Sequence, residues 1–465
     1  MGKSLLYFSG SAAVLAAIVY LKTCHRPEVL PEAMPEDVWW GPKYDEHLDG
    51  NTDIRPFRIN ITDEVIDDLK HRLRTARPFA KPLESVNFEY GFNHDYLAKV
   101  VDHWLNRYDW AARQAHMNAL PQFKTRLYGL DVHFIHARPA ATGKHRVIPL
   151  LIAHGWPGSV VEFYRLIPML TKPRDGFDFV FQVIAPSLPG FGFSDPAVRP
   201  GMGPAQIGQI FVELMDRLGH KKFYVQGGDW GAVIVEAMAK LFPDRVSGLH
   251  SNMCMVGNHL DLCDFTRLVL GSYWPSLAVS SEMEQQRTYP LSKLFSMTLE
   301  ETGYMHIQMT KPDTAGVGLN ESPVGLAAWI LEKFSIGTNL KHRQMPDGGL
   351  SMYDMDDLLD NVVVYWISGS ITTSMRLYSE YASAKYRSLP HNKAPVKVPA
   401  ACANFPHEIN VTLSLKRFLK KKYTKLIRVT EMADGGHFAA FERPEFLSND
   451  IWTSIKEIEQ TYYLT

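Results

Sequence analysis

The sequence has few cysteines, almost no net charge and no internal repeat. No two of its four cysteines form a C-x-x-C pair, so they supply neither a zinc site nor a disulfide framework. We therefore expect free thiols in a reducing compartment at Cys24, Cys254, Cys263 and Cys402. The formal net charge of -1 offers no basic field for nucleic acid. A repeat array and a low-complexity chain are likewise excluded.

The composition is that of a folded globular protein. Of the 465 residues, 46% are hydrophobic and 21% are charged, which excludes extended disorder. The length suffices for one large core with an insertion, or for two domains. Without an excess of either charge, a small neutral or apolar ligand is favoured over a charged polymer.

Residues 5–21 contain no charged side chain. As a helix rising about 1.5 Å per residue, this segment would reach roughly 26 Å, enough to span a thin bilayer. We predict a retained membrane anchor, with a cleaved signal peptide as the alternative. Lys22, His25 and Arg26 follow the segment and only Lys3 precedes it, which predicts a cytoplasmic main domain. Three N-x-S/T sequons should then stay unglycosylated: Asn60, Asn320 and Asn410.

The chain between the anchor and residue 123 predicts a meander followed by two helices. Prolines recur through "RPEVLPEAMPEDVWWGPK", which rules out a continuous helix there. Thr62 and Asn93 each precede an amphipathic segment with an acidic first turn, so we expect both to cap helices.

From residue 124 the pattern changes to strands that alternate with helices. "KTRLYGLDVHFIHARP" alternates around Gly129 and predicts a β-hairpin. Short, wholly apolar runs follow, separated by helical patterns over residues 159–170, 204–218 and 230–242. This arrangement indicates a parallel sheet covered on both faces, hence an α/β class.

A segment rich in Met, Tyr and Ser interrupts this alternation after the sixth predicted strand, and we interpret it as a helical lid. The predicted organisation is therefore an anchor, an N-terminal meander with helices, a first part of the core, the lid and a second part of the core. These units cover residues 1–22, 23–123, 124–254, 255–386 and 387–465.

The stretch "YVQGGDWGAVIVEAM" reads as strand, sharp turn and helix. Its turn has the frame of a nucleophile elbow, Gly-x-nucleophile-x-Gly, which usually holds serine. Here the central residue is Asp229. Glu408 and His437 end two later predicted strands, so that nucleophile, acid and histidine follow the chain order of an α/β-hydrolase triad.

An oxyanion hole fits the same geometry. "AHGWPGS" closes an earlier strand and would leave the Trp156 N–H free, while Trp230, the residue after the nucleophile, would supply a second N–H. His154 in this stretch is more consistent with a structural role than with a catalytic one.

An aspartate in the elbow has a chemical reason. A carboxylate is ionised near neutral pH and can attack an sp3 carbon that bears a strained or good leaving group. The resulting ester of Asp229 would be hydrolysed by water that His437 activates, with Glu408 orienting the imidazole. An epoxide oxygen needs a proton donor, for which phenol is suited; Tyr304 and Tyr378 are two of many candidates in the lid.

Several motifs together resemble the microsomal epoxide hydrolase family: "HGWPGS", "GGDWG", "GYMHIQMTKPDT", "FPHE" and "GGHFAAFERPE", with "DVWWGP" near the start. The resemblance covers nearly the whole chain and implies an α/β-hydrolase core with a helical lid. It further implies hydration of epoxides at the endoplasmic reticulum without metal or cofactor. Carried over by motif, the resemblance makes Asp229 the nucleophile, His437 the base and Glu408 its orienting acid. Tyr304 and Tyr378 would be the proton donors, and Trp156 and Trp230 the oxyanion donors.

Within this family the chain resembles the insect juvenile hormone epoxide hydrolases, whose substrate is a sesquiterpenoid ester. A membrane anchor suits an oily substrate, but a xenobiotic-clearing relative would need the same features. Two other classes stay open on the residues alone, a haloalkane dehalogenase and a non-enzymatic lipid carrier. Stereochemistry, the ring carbon attacked and the oligomeric state are not predicted.

Overall fold

The structure is a computed structural model that describes residues 31, 34, 38–43, 52–140, 143–409 and 414–464. The predicted anchor over residues 1–22 and the sequon at Asn410 lie outside these residues. Within them, no helix has both the length and the apolar character needed to cross a bilayer.

A nine-stranded sheet forms the core, in the order β1-β2-β3-β5-β4-β6-β7-β8-β9. The first three strands and the β3–β5 pair are antiparallel, and all remaining neighbours are parallel. Strand β6 is buried along its whole length, as expected where helices cover both faces. The strands are β1 (Arg55–Phe57), β2 (Gln122–Leu127), β3 (Leu130–Ala137), β4 (Arg146–Ala153), β5 (Phe179–Pro186), β6 (Phe223–Gly227), β7 (Val246–Ser251), β8 (Val396–Asn404) and β9 (Tyr423–Glu431).

The helices surround this sheet and fill the interruption between β7 and β8. In chain order they are α1 (Asp63–Arg74), α2 (His94–Asn106), α3 (Trp110–Met117), α4 (Leu166–Leu170), α5 (Pro204–Arg217), α6 (Asp229–Leu241), α7 (Leu262–Leu270), α8 (Glu282–Thr288), α9 (Leu291–Glu301), α10 (Gly303–Thr310), α11 (Pro312–Glu321), α12 (Pro323–Thr338), α13 (Met355–Ser368), α14 (Ile371–Ala382), α15 (Ala384–Arg387), α16 (Lys416–Lys422), α17 (Ala439–Glu442) and α18 (Pro444–Tyr462).

The predicted hairpin is confirmed, and the strand count is corrected by one. Strands β2 and β3 pair through a turn in which both Tyr128 and Gly129 have positive φ, the conformation of a tight hairpin. The edge strand β1 was missed because it has three residues, one of them Pro56, and therefore shows no alternation. Within the described residues, the helical insertion thus follows the seventh strand rather than the sixth.

Thr62 and Asn93 are the N-cap residues of α1 and α2, as predicted. The Asn93 side chain accepts from the backbone N–H of Asp95 and Tyr96, whereas the Thr62 side chain makes no capping hydrogen bond to α1. One helix prediction needs correction. The predicted helix over residues 159–170 is divided into a 3-10 turn and α4. Pro168 explains the division: it has no N–H to donate and is tolerated only in the first turn of a helix.

The prediction of free thiols is wrong for the described cysteines, none of which is free. Cys254 and Cys402 form a disulfide with a Cα–Cα distance of 5.8 Å. The register of the parallel strands explains it: Ser251 in β7 pairs with Cys402 in β8, which brings together two thiols that are 148 residues apart. Spacing along the sequence carries no sign of this neighbourhood.

Candidate active site

Asp229 lies in a sharp turn between β6 and α6, with a φ of 47°. A residue other than glycine rarely adopts this conformation, and strain of this kind is typical of a nucleophile elbow. Glycines let the backbone close around it. A Cβ at Gly231 would lie 1.9 Å from the Ala153 carbonyl oxygen, and one at Gly155 would lie 2.1 Å from Oδ1 of Asp229.

Both oxygens of the Asp229 carboxylate have a defined neighbour. Oδ1 accepts a hydrogen bond of 2.7 Å from the Trp156 N–H, the first oxyanion donor that the sequence predicts. Oδ2 lies 3.3 Å from Nε2 of His437. The Trp230 N–H, predicted as the second oxyanion donor, lies in the first turn of α6 directly after Asp229. One oxygen thus points to the backbone donor and the other to the histidine.

Glu408 contacts the other ring nitrogen of His437. Its Oε1 lies 2.6 Å from Nδ1 of His437 and also accepts from the Ile409 N–H at 2.8 Å. Burial lowers the pKa of His437, but the carboxylates of Glu408 and Asp229 outweigh burial and raise it well above the ordinary value. The residues predicted as nucleophile, acid and histidine therefore lie within contact distance of one another.

Glu442 supports the loop of His437 and was missed in the sequence. Its Oε2 accepts from the Gly436 N–H and its Oε1 from the Phe438 N–H, each at 2.9 Å, so that it bonds to both neighbours of the histidine. Burial raises the pKa of Glu442 to about 8, although the two donors lower it. An acid within the otherwise apolar run "HFAAFE" is the signal that could have revealed it.

Glu162 is a second buried acid that the sequence did not single out. It lines a cavity of about 20 Å³ together with Asp229, His437 and Asn252. This volume suits roughly one water molecule and is far too small for a drug-sized ligand. Burial raises the pKa of Glu162 to about 8, with His437 opposing the shift. A water molecule there would lie next to both Asp229 and His437, the residues predicted to form and to hydrolyse the ester.

Tyr304 and Tyr378 come from α10 and α14 in the helical insertion and meet beside Trp156 and Trp230. The Tyr304 ring stacks on Trp156 with centroids 5.3 Å apart, and the Tyr378 ring meets Trp230 edge-on at 4.7 Å. The two phenol rings are 6.1 Å apart. Tyr381, one turn after Tyr378, also contacts Trp230, at 5.1 Å. The two predicted tyrosines therefore lie beside the two tryptophans, and their role as proton donors stays a prediction.

His154 has the structural role that the sequence indicated. Its Nδ1 lies 3.0 Å from the Gly155 carbonyl, and its Nε2 accepts from the Leu188 N–H at 3.1 Å. Burial lowers its pKa to about 4, so the ring stays neutral near pH 7. It braces two strand ends beside the site.

One group of possible metal ligands occurs in the described residues: His116, Asp357 and Asp360. The guanidinium of Arg113 already occupies this group, with Nη2 at 2.5 Å from a carboxylate oxygen of each aspartate. A cation held there would be repelled by the arginine at close range.

Comparisons with known proteins bear on this site. Residues 54–163 match a family described as epoxide hydrolase N terminus, and residues 148–277 match the alpha/beta hydrolase fold. Juvenile hormone epoxide hydrolase 1 of Ctenocephalides felis is 46% identical over 99% of this chain and 97% of its own length. Epoxide hydrolase 1 of Oryctolagus cuniculus is 42% identical over 97% of this chain and 98% of its own.

A solved structure agrees with these relatives. The crystal structure of juvenile hormone epoxide hydrolase from the silkworm Bombyx mori has a TM-score of 0.88 and 45% identity, and the match covers 92% of this chain and 99% of that one. The α/β-hydrolase fold that the sequence predicts is therefore confirmed.

Proposed function

The chain belongs to the epoxide hydrolases, and we propose that it converts a lipophilic epoxide to its diol through an ester on Asp229. The observation that carries the proposal is the pair of contacts at this carboxylate, with the Trp156 N–H on one oxygen and the His437 Nε2 beside the other. Such a carboxylate can attack without a base, and the adjacent imidazole can later activate water.

In the first step Oδ2 of Asp229 attacks one ring carbon, and the bond from that carbon to the ring oxygen breaks. Tyr304 and Tyr378 bind the oxygen, and one of them transfers its proton to the alkoxide as the ester forms. Burial raises the pKa of both phenols, and the charge of Asp229 adds to the shift, which keeps them protonated before substrate binds. The step leaves a hydroxyalkyl ester and one tyrosinate.

In the second step His437 removes a proton from water, and the hydroxide attacks Cγ of the ester. Glu408 accepts from Nδ1–H and stabilises the imidazolium, while the Trp156 and Trp230 N–H groups stabilise the developing charge on Oδ1. Collapse of the intermediate releases the diol and restores the carboxylate. One of the two water protons goes to the leaving alkoxide to complete the diol, and the other returns to the tyrosinate, so the cycle balances without a metal or cofactor.

We favour juvenile hormone as the substrate, because relatives from Ctenocephalides felis and Bombyx mori, which are 46% and 45% identical to this chain, are named juvenile hormone epoxide hydrolases. General detoxification is the alternative, because a mammalian relative named only epoxide hydrolase 1 is nearly as similar. Diol formation measured side by side on a sesquiterpenoid epoxide and an aryl epoxide decides between them. A kcat/KM about tenfold higher for the sesquiterpenoid would support the hormone.

We further propose that residues 1–22 anchor the protein in the endoplasmic reticulum membrane, with the catalytic domain in the cytoplasm. The charge bias around the segment supports this orientation, whereas the Cys254–Cys402 disulfide counts against it, because disulfides persist mainly in oxidising compartments. The sequon at Asn60 is exposed and can report the side. A mobility shift after deglycosylation of the cellular protein would place the domain in the lumen.

The mechanism is tested by a single turnover in heavy-oxygen water with enzyme in excess over epoxide. We expect the first diol to carry no solvent oxygen, because its new oxygen comes from Asp229, and we expect the label in the Asp229 peptide. Solvent oxygen in the first diol would exclude the ester.

A second candidate reaction has one observation in its favour. The indole N–H of Trp156 is buried and lacks an acceptor within the described part of the chain, and a halide leaving group would need such a donor. Matched chloroalkane and epoxide substrates separate the two reactions. Chloride release without diol formation would favour a dehalogenase, and binding without any turnover would favour a lipid carrier.

A further inference from the structure

Helix α7 exposes more apolar surface than is usual for a surface helix of a soluble protein. Its buried residues are Asp264 and Leu268, whereas Leu262, Phe265 and Val269 point outward. The exposed fractions of Leu262 and Phe265 are 62% and 57%. The normal arrangement places apolar residues inward and charges outward. The orientation of α7 exposes large apolar side chains to water, which is unfavourable in free energy.

The apolar surface continues past the end of the helix. Tyr273 and Trp274 are 79% and 63% exposed, although large aromatic residues are usually mostly buried. We call this surface the α7 face and define it by Leu262, Phe265, Val269, Tyr273 and Trp274. Several large apolar side chains exposed together are typical of an interaction site rather than of scattered surface residues.

A row of positive charge borders the α7 face. The Nζ of Lys421 in α16 bonds to Asp261 at 2.9 Å and to Asp264 at 2.6 Å, which explains how the helix tolerates a buried carboxylate. Arg417 donates to the Ser276 carbonyl at 3.2 Å, just beyond Trp274. The exposed basic residues of α16 are Lys416, Arg417, Lys420 and Lys421.

We propose that the α7 face docks on an anionic lipid bilayer. The aliphatic and Phe side chains enter the boundary between headgroups and acyl chains, and Tyr273 and Trp274 lie at headgroup level, where aromatic residues with a polar tip concentrate. The basic row of α16 contacts the anionic headgroups. This contact lies on the described domain and is proposed in addition to the anchor predicted for residues 1–22.

A second copy of the chain fits this surface less well than a bilayer. A twofold dimer uses the same patch on both subunits, so the basic rows that border the two patches would come close together. Like charges would then repel across the contact, whereas anionic lipid neutralises them.

The experiment uses the full chain in nanodiscs of phosphatidylcholine, with or without phosphatidylserine, and in detergent micelles. Amide hydrogen exchange is measured for residues 262–277. We expect slower exchange in phosphatidylserine discs than in neutral discs or micelles, with no change around Tyr90, which is 84% exposed but lies far along the chain from the basic row.

Paired variants sharpen the test. The double variant Phe265→Asp with Trp274→Asp should remove the lipid-dependent protection. The double variant Lys416→Glu with Lys420→Glu should remove it as well, whereas Tyr90→Asp should leave it unchanged. Unchanged diol formation from a water-soluble epoxide shows that each variant is folded. Equal exchange in all three environments overturns the proposal. Protection that grows with protein concentration in the absence of lipid also overturns it, in favour of a second copy.

Discussion

Nε2 of His437 lies 3.3 Å from Oδ2 of Asp229, while its Nδ1 lies 2.6 Å from Glu408. The imidazole is thus held between two carboxylates, and both raise its pKa. Esterification of Asp229 removes one of the two charges. We infer that forming the ester lowers the pKa of His437 and turns an imidazolium into a base when a base is needed.

This inference predicts a pH effect with a definite sign. In Asp229→Asn the neutral amide no longer stabilises the imidazolium, so the pKa of His437 should fall below its value in the unaltered protein. Nuclear magnetic resonance of the His437 ring across a pH titration measures this directly. An unchanged or higher pKa in the variant would refute the coupling. For the same reason, ester hydrolysis should accelerate with pH through a pKa lower than that of the resting enzyme.

Replacement of His437 should separate the two chemical steps. His437→Gln still forms the ester but cannot activate water, so hydrolysis should slow by about 10²- to 10⁴-fold. Mass spectrometry should then find the peptide around Asp229 heavier by one substrate molecule. His437→Gln combined with Asp229→Asn is the control and should stay unmodified. An unmodified peptide in the single variant as well would contradict the mechanism.

The two tyrosines should affect the other step. Tyr304→Phe or Tyr378→Phe removes a proton donor, so ester formation in a rapid-mixing experiment should slow by about 10²-fold while ester hydrolysis changes little. Tyr381→Phe is a matched control, because Tyr381 contacts the same Trp230 ring from the same helix. A control as slow as Tyr378→Phe would show that packing, and not proton transfer, explains the effect.

Glu442 should act by positioning His437. In Glu442→Gln one backbone N–H loses its acceptor and faces an amide NH2, and an unsatisfied buried donor costs about 1 to 3 kcal/mol. We expect a lower Tm and slower ester hydrolysis, with little change in ester formation. Glu445→Gln, on an exposed residue of the same segment, should change none of these quantities. A loss confined to Tm would leave Glu442 with a structural role only.

The site could be predicted best where a candidate residue lies in a local sequence motif or directly after a predicted strand. The elbow around Asp229 is a strand, a turn and a helix, and Glu408 and His437 each follow a later strand, so the direction of parallel strands alone brings them to one edge. The two tyrosines could not be chosen by such logic, because they come from helices whose packing has no local signature. Only the family resemblance separated them from the other tyrosines.

The missed features depend on contacts between distant parts of the chain. Glu162 and Glu442 are acids in apolar surroundings, and a sequence does not reveal which backbone donors or cavities will meet them. The disulfide depends on the register between β7 and β8, and a strand as short as β1 is defined by its pairing partner rather than by its own pattern. Tertiary context decides each of these cases.

The Cys254–Cys402 disulfide also links the two ends of the helical insertion. One sulfur lies just before the inserted helices and the other in the strand that follows them, so the insertion is a covalently closed loop. A protease that nicked this loop would leave two pieces still tied to one another, separable only after reduction. The loop can therefore be lengthened, shortened or reshaped while its two ends stay fastened to the sheet that carries Asp229.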